Sequence, residues 1–276
     1  MTLHLIVNAD DYGRSAGISR GIRDAHQHGI VTSTTCMMNF ATTDEDIALA
    51  LRDTPQLGLG VHLVLTSGRP LLPPPQIPTL TAATGTFHDL RSLMERLPEI
   101  NPAEAQSEWR AQIEKFMRAA GRPPTHLDAH HHAAYFTAGL FRAMLELAQE
   151  YGCAIRLPTA TTDGQIIGIP DYLHDALRDF MPRLLVEFTP RAPDAFYATF
   201  YDQMATRAEL LRLINNLPAQ GVYEIMCHPG YADEALIVSS VYARQRENEL
   251  AVLTDSGARQ AIIARAIQPA TFAVLG

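Results

Sequence analysis

The apolar run Leu3 to Val7 leads through Asn8 and Ala9 into two adjacent carboxylates, Asp10 and Asp11, and then Tyr12 and Gly13. Leu3 to Val7 has the composition of a short buried strand. Two acids at the carboxyl end of such a strand face like-charge repulsion and desolvation together. A fold tolerates that most easily where a cation sits beside them. Neighbouring side chains on an extended chain point opposite ways, so both acids reach one site only if the backbone bends. Gly13 permits the bend. The plainer reading is a strand-end Asp that caps the next helix. Ser15 offers an N-cap to a helix running to about His28.

The pattern then repeats. Gly29 ends the helix, and the β-branched run from Ile30 to Met38 is a second strand. A helix over Thr43 to Arg52 precedes a third strand, Leu57 to Leu65, with His62 inside it. This βαβαβ order at close spacing favours a parallel sheet or barrel. Thr66 to Thr86, with Gly68, Pro70 and Pro73-Pro74-Pro75, is a long loop at a strand end, where function concentrates. Helices follow over His88 to Arg96 and Pro102 to Ala120; the second carries the single tryptophan, Trp109, read as a packing residue. A strand over Thr125 to Asp128 runs into Ala129-His130-His131-His132, then a helix from Thr137 to Tyr151 and a strand from Cys153 to Leu157. Residues 158 to 205 are rich in proline, with a helix expected near Tyr172 to Asp179. They read as an irregular excursion over the strand ends, so residues 1–276 are expected to form one domain. A helix over 206–217 and a strand from Val222 to Cys227 end at His228-Pro229-Gly230. Tail helices are expected over Ser240 to Thr254 and Gly257 to Ile267, before a short apolar end.

A net charge of −8 argues against nucleic acid or an anionic membrane as the main partner. Cys36, Cys153 and Cys227 are far apart and in apolar settings, so they read as buried thiols. The first strand begins at once, with no basic leader, and no apolar run reaches the ~18 residues of a membrane span. A cytoplasmic protein is expected.

Of the 11 histidines, six fall within or just after three strands: His62, His126, His130, His131, His132 and His228. Strand ends converge when strands are parallel in a barrel. Imidazole plus carboxylate suits a divalent ion such as Zn, Mn, Ni or Fe, while Mg usually prefers oxygen. Two His and one Asp leave coordination positions open, as a catalytic metal requires. A single strand histidine such as His62 is more often a hydrogen-bonded core residue. Three adjacent imidazoles are a poor way to build a core, yet at most one or two can face one ion, and the others of His130, His131 and His132 serve as supporting or substrate contacts. His126 has a structural reading, Asp128 a role in orienting a ligand histidine, and His228-Pro229 that of a turn. There is no Gly-rich phosphate loop, GxSxG elbow or Cys–His signature.

Leu5–Gly13, Gly29–Thr35, Gly60–Pro70, Pro124–His132 and Met226–Gly230 together resemble the YdjC-like carbohydrate deacetylases, which include chitooligosaccharide deacetylase and a branch linked to hopanoid synthesis. The resemblance spans residues 3 to 230 and has no grip on 158–205 or the tail. It implies an α/β fold, a distorted (β/α) barrel related to NodB-type polysaccharide deacetylases. It implies a divalent metal, Mg or Zn foremost, held by Asp11, His62 and His130, with Asp10 as general base. It also implies an acetylated sugar substrate and pairing into homodimers. His228 is then expected to protonate the leaving amine. Tyr12, Phe40, Tyr135, Phe136, Tyr197 and Tyr231 lie near strand ends, where a sugar could stack, although core packing is the plainer role of each. Two other readings stand beside this one. One is a metal-dependent barrel acting on a sugar phosphate, an epimerase or phosphatase, using Arg14 or Arg69. The other is a non-catalytic sugar- or metal-binding protein.

Overall fold

A computed structural model of the chain describes residues 2–158 and 173–276. The strands are β1 (Leu3–Tyr12), β2 (Ser33–Cys36), β3 (Gly58–Leu63), β4 (His126–Ala129), β5 (Ala154–Ile155), β6 (Ala195–Tyr197), β7 (Gly221–Cys227) and β8 (Gln268–Pro269). They form one sheet in the order β5-β4-β3-β2-β1-β7-β6, with β8 also paired to β1. Every strand pairing in the sheet is parallel. The sheet curls into a half-barrel between edge strands β5 and β6. Arg191, just ahead of β6, accepts a backbone hydrogen bond from Ile155 in β5 at 2.8 Å, so the two edges approach. All carboxyl ends therefore open on one face, where loop residues gather.

Helices cover the outside: α1 (Ala16–His28), α2 (Thr43–Asp53), α3 (Leu90–Glu95), α4 (Pro102–Ala120), α5 (Ala138–Tyr151), α6 (His174–Phe188), α7 (Arg207–Asn216), α8 (Glu234–Ser239), α9 (Arg244–Leu253) and α10 (Ser256–Ala264). Their ends follow from local chemistry. Ser15 accepts from the Ile18 amide at the start of α1, and Thr137 does the same for Leu140 at the start of α5. Such caps contribute about 1 kcal/mol each. α4 begins on an Asn101 cap with Pro102 at its first position, and stops where Gly121 turns left-handed at φ 67°. Trp109 and Phe116 of α4 and Phe141 of α5 are fully buried, which removes about 1.5–3 kcal/mol worth of apolar surface from water per side chain.

Three expectations need correction. β2 is shorter than the β-branched run from Ile30, because the Val31 amide still bonds the Ala25 carbonyl and keeps the chain wrapped on the end of α1. The tail helix expected over Ser240 to Thr254 starts only at Arg244, as α9, because Ser240 is extended at φ −147° and Tyr242 turns inward; the short helix before it, α8, was not expected. The excursion at 158–205 carries a long helix, α6, and the edge strand β6, whose alternation is too short to see in sequence. Its residues 159–172 lie outside the described residues. No described helix is long and apolar enough to cross a membrane.

Candidate active site

The bend needed to bring both acids to one site falls on Asp11 itself, at φ 72°, followed by Gly13 at φ 87°. Between Ala9 and Tyr12 the pairing of β1 with β2 shifts register. A non-glycine residue in the left-handed region costs about 1–2 kcal/mol, and such strain collects at functional positions. A second unusual turn follows β4, where His131 and His132 take φ 53° and 60° in succession. That turn separates the three imidazoles: His130 faces Asp11, and His131 Nδ1 shares a 2.9 Å hydrogen bond with the Thr66 hydroxyl. His132 lies against Tyr135 and Phe196.

Asp11, His62 and His130 meet. His62 Nε2 lies 3.4 Å from Asp11 Oδ1, His130 Nδ1 lies 3.1 Å from the same oxygen, and the two nitrogens are 3.2 Å apart. Two ligand atoms on one Zn-sized ion, each ~2.1 Å from it, stand about 3.0–3.4 Å apart. Asp11 Oδ1 is buried and makes no hydrogen bond, so polar capacity is left over where a cation would use it. His62 Nδ1 is 2.7 Å from Asp128 Oδ1, which fixes the ring with Nε2 toward Asp11. Burial lowers the His62 pKa, but Asp128, Asp10 and Asp11 override it and raise the imidazole to about 9. The pocket thus calls for positive charge at this point. A second grouping of Asp10, His62 and Asp128 is also close-set. Its two carboxylates, however, already share the Arg156 guanidinium, so the first set is the better candidate.

Asp10 points the other way, into a buried ionic cluster. Arg156 Nη1 and Nη2 each donate to it at 2.7 Å, and Asn8 Nδ2 adds a bond at 2.9 Å. Burial would raise the Asp10 pKa, but the Arg156 fork holds it well below the usual carboxylate range. Arg156 also bonds Glu224 through Nε at 2.7 Å and lies 2.9 Å from Asp128. Burial pushes Glu224 up to about 8 against the pull of Arg156.

His228, at the end of β7, brings Nε2 to 3.9 Å from Asp10 Oδ2. Burial pulls its pKa down to about 4, against the pull of Asp10. Its backbone amide donates to Glu249, which also accepts from the Tyr242 hydroxyl. Arg246, from α9, donates to Asp11 Oδ2. Burial raises the Asp11 pKa, but Arg246, His130 and Arg14 hold it well below the usual range. These groups line a cleft of ≈ 530 Å³, with Arg14, Thr199, Tyr201, Met226 and Val241 among its other walls. That size is ordinary for a small-molecule site.

The structure thus brings Asp10, Asp11, His62, His130 and His228 to one cleft, with His131 and His132 on its wall. His126 is elsewhere. It stacks on Phe272 at 3.6 Å and bonds Asn8, so it reaches Asp10 only through that amide. None of the six aromatic residues expected near a sugar lines the cleft; Tyr12 and Tyr135 are buried with their hydroxyls bonded to the Asp46 and Arg156 carbonyls. Arg69 bonds the Thr84 and Gly85 carbonyls, while Arg14 does reach the cleft. Sequence reasoning missed Arg156, Glu224, Arg246, Glu249 and the pair Tyr201 and Tyr242. For Arg156 and Glu224 a signal existed: each is a charge inside an otherwise apolar strand run.

The YdjC-like protein family matches residues 4–264. A carbohydrate deacetylase of Brevibacillus brevis is 37% identical over 274 residues, covering 99% of this chain and 100% of that protein. A chitooligosaccharide deacetylase of Proteus mirabilis is 34% identical, covering 97% of each. Among solved structures, a protein of Enterococcus faecalis provisionally described as a cellobiose-phosphate cleavage protein superimposes with a TM-score of 0.86 at 31% identity, over the whole of both chains. A family 4 carbohydrate esterase of Streptomyces lividans, in complex with acetate, shares the fold at a TM-score of 0.51 and 10% identity, covering 98% of this chain and 92% of that one. With the family match covering nearly the whole chain and close relatives aligned end to end, this protein belongs to the YdjC-like family.

Proposed function

We propose that the chain is a metal-dependent hydrolase that removes the acetyl group from an N-acetylated amino sugar. The observation that carries this is the pairing of a three-donor cluster, Asp11, His62 and His130, with a separate carboxylate, Asp10, held ionised beside it. The names of the relatives support the choice of reaction. A divalent ion on the three donors, Mg or Zn foremost, would polarise the acetyl carbonyl and make water more acidic.

The chain's own residues carry the protons. Asp10 takes a proton from the attacking water as its oxygen bonds to the acetyl carbon. Arg156 keeps Asp10 both charged and aimed. His228 rests neutral, so the proton it gives must reach it during the cycle; Asp10, 3.9 Å away, carries one once it has deprotonated the water. His228 passes that proton to the amide nitrogen as the carbon–nitrogen bond breaks, leaving acetate and a free amine. Residues 1–276 act in this reading as one domain, and the family resemblance favours a homodimer.

The test is incubation of metal-loaded protein with a panel of N-acetylated sugars, following acetate and free amine together. Equal amounts of both are expected from at least one sugar. No acetate from any of them would overturn the reading.

A further inference from the structure

Among the described residues, one large aromatic side chain lining the cleft is left open. That side chain is Tyr201, which is 43% exposed. An exposed ring alone is ordinary. This one is fixed from behind. Tyr242 stacks on it with centroids 4.5 Å apart and planes within 13°. Tyr242 is itself held at three points: its hydroxyl donates to Glu249 and accepts from the Asp202 amide at 2.9 Å, and its carbonyl accepts from Arg246 Nε at 3.0 Å. Glu249 is the carboxylate that also accepts from the His228 amide. The His228 ring stands nearly edge-on to Tyr201, at 5.3 Å and 67°. One carboxylate thus ties the stacked pair to the residue beside Asp10.

We infer that Tyr201 is the platform on which the pyranose ring of the substrate lies, placing its amide nitrogen beside His228. This rests on the deacetylase reading above. A sugar whose ring hydroxyls are mostly equatorial, as in the gluco series, presents a face of C–H bonds to such a surface. A pre-positioned ring loses little freedom when it is covered. Covering on the order of 50 Å² of apolar surface corresponds to roughly tenfold in affinity. Tyr201 acts on binding and position, not on the reacting atoms.

The experiment combines kinetics with a binding readout. On N-acetylglucosamine oligomers, Tyr201→Ala is expected to raise KM roughly tenfold with kcat within about threefold, and Tyr201→Phe, which keeps the ring, to restore the wild-type KM. Saturation-transfer NMR on the wild type, using both acetylated and fully deacetylated oligomers, should show strongest transfer to ring C–H protons, and Tyr201→Ala should lose it. Thermal midpoints and metal content of the variants serve as the folding control. An unchanged KM and transfer pattern in Tyr201→Ala would overturn the platform, as would Tyr201→Phe failing as badly as Tyr201→Ala, which would assign the effect to the hydroxyl. Wild-type protein that releases no acetate would sink the deacetylase reading instead, and the transfer pattern alone would then decide the platform. Acetate release with a KM indifferent to the Tyr201 ring would leave that reading standing and end this one.

Discussion

Arg156 grips Asp10 with both terminal nitrogens at 2.7 Å each, across 146 residues of chain. The same guanidinium reaches Asp128, which orients His62. One buried cation therefore connects the proposed base to the proposed metal ligand. Removing one partner of such a buried cluster leaves uncompensated charge.

Arg156→Lys keeps a positive charge but loses the fork. It is expected to cost about 1.5–3 kcal/mol of stability for each charged hydrogen bond that a single ammonium cannot replace and to lower acetate release by at least ~100-fold through misplacement of Asp10. Denaturant unfolding and steady-state rates check both. A lysine variant near wild type on either measure would show that the fork is dispensable.

Asp10→Asn keeps the size of the side chain and removes its basicity. Turnover should fall by about 10²–10⁴-fold, the usual contribution of a general base. Divalent metal retained after desalting, measured by elemental analysis, should match the wild type. Persistent acetate release from the metal-loaded variant would refute the role of Asp10.

Chelation tests the Asp11, His62 and His130 cluster. An ion bound at one hundred times its dissociation constant stabilises a fold by about 2.7 kcal/mol. The thermal midpoint of wild-type protein should therefore drop on EDTA treatment and recover when divalent metal is restored. Asp11→Asn and His62→Gln should show little or no shift. Equal shifts in all three proteins would place the ion elsewhere.

His126 gives a prediction in pH. Burial, and then Arg156, hold its pKa well below 6.5. Its contribution to stability is present above the unfolded-state value near 6.5. It is lost as pH falls below that, because the unfolded chain takes up a proton that the folded chain refuses, at up to ~1.4 kcal/mol per pH unit. Between pH 8 and pH 5 the unfolding free energy of His126→Gln should decline less than that of the wild type. Parallel declines would mean that His126 does not contribute to the acid sensitivity.

Much of the fold was legible along the chain. Ser15 caps the helix that it announces, and the helices read from Pro102 and from Thr137 begin there or one residue on. These are contacts within one turn of helix, so local sequence decides them. β6 was missed because three residues carry too little periodicity; its strand character comes from Asp194 and Ala195 to Tyr197 finding β7. α8 and the late start of α9 were missed for the same kind of reason, since Tyr242 is drawn inward by partners at 201 and 249.

Strand-end carboxylates and histidines are visible in the sequence alone because their chemistry is unusual for buried strands: Asp10, Asp11, His62 and His130 could be named before any geometry, as could the family. Only the tertiary structure decided what each one faces. Asp11 turns to the imidazoles through its own left-handed backbone, Asp10 turns to Arg156, and His126 is carried away to Phe272. Tyr201 rather than the aromatics near the strand ends reaches the cleft. The physical reason is range. Burial and residue type are written locally, whereas hydrogen bonds and ion pairs between residues more than a hundred positions apart exist only once the sheet has curled and brought its strand ends together.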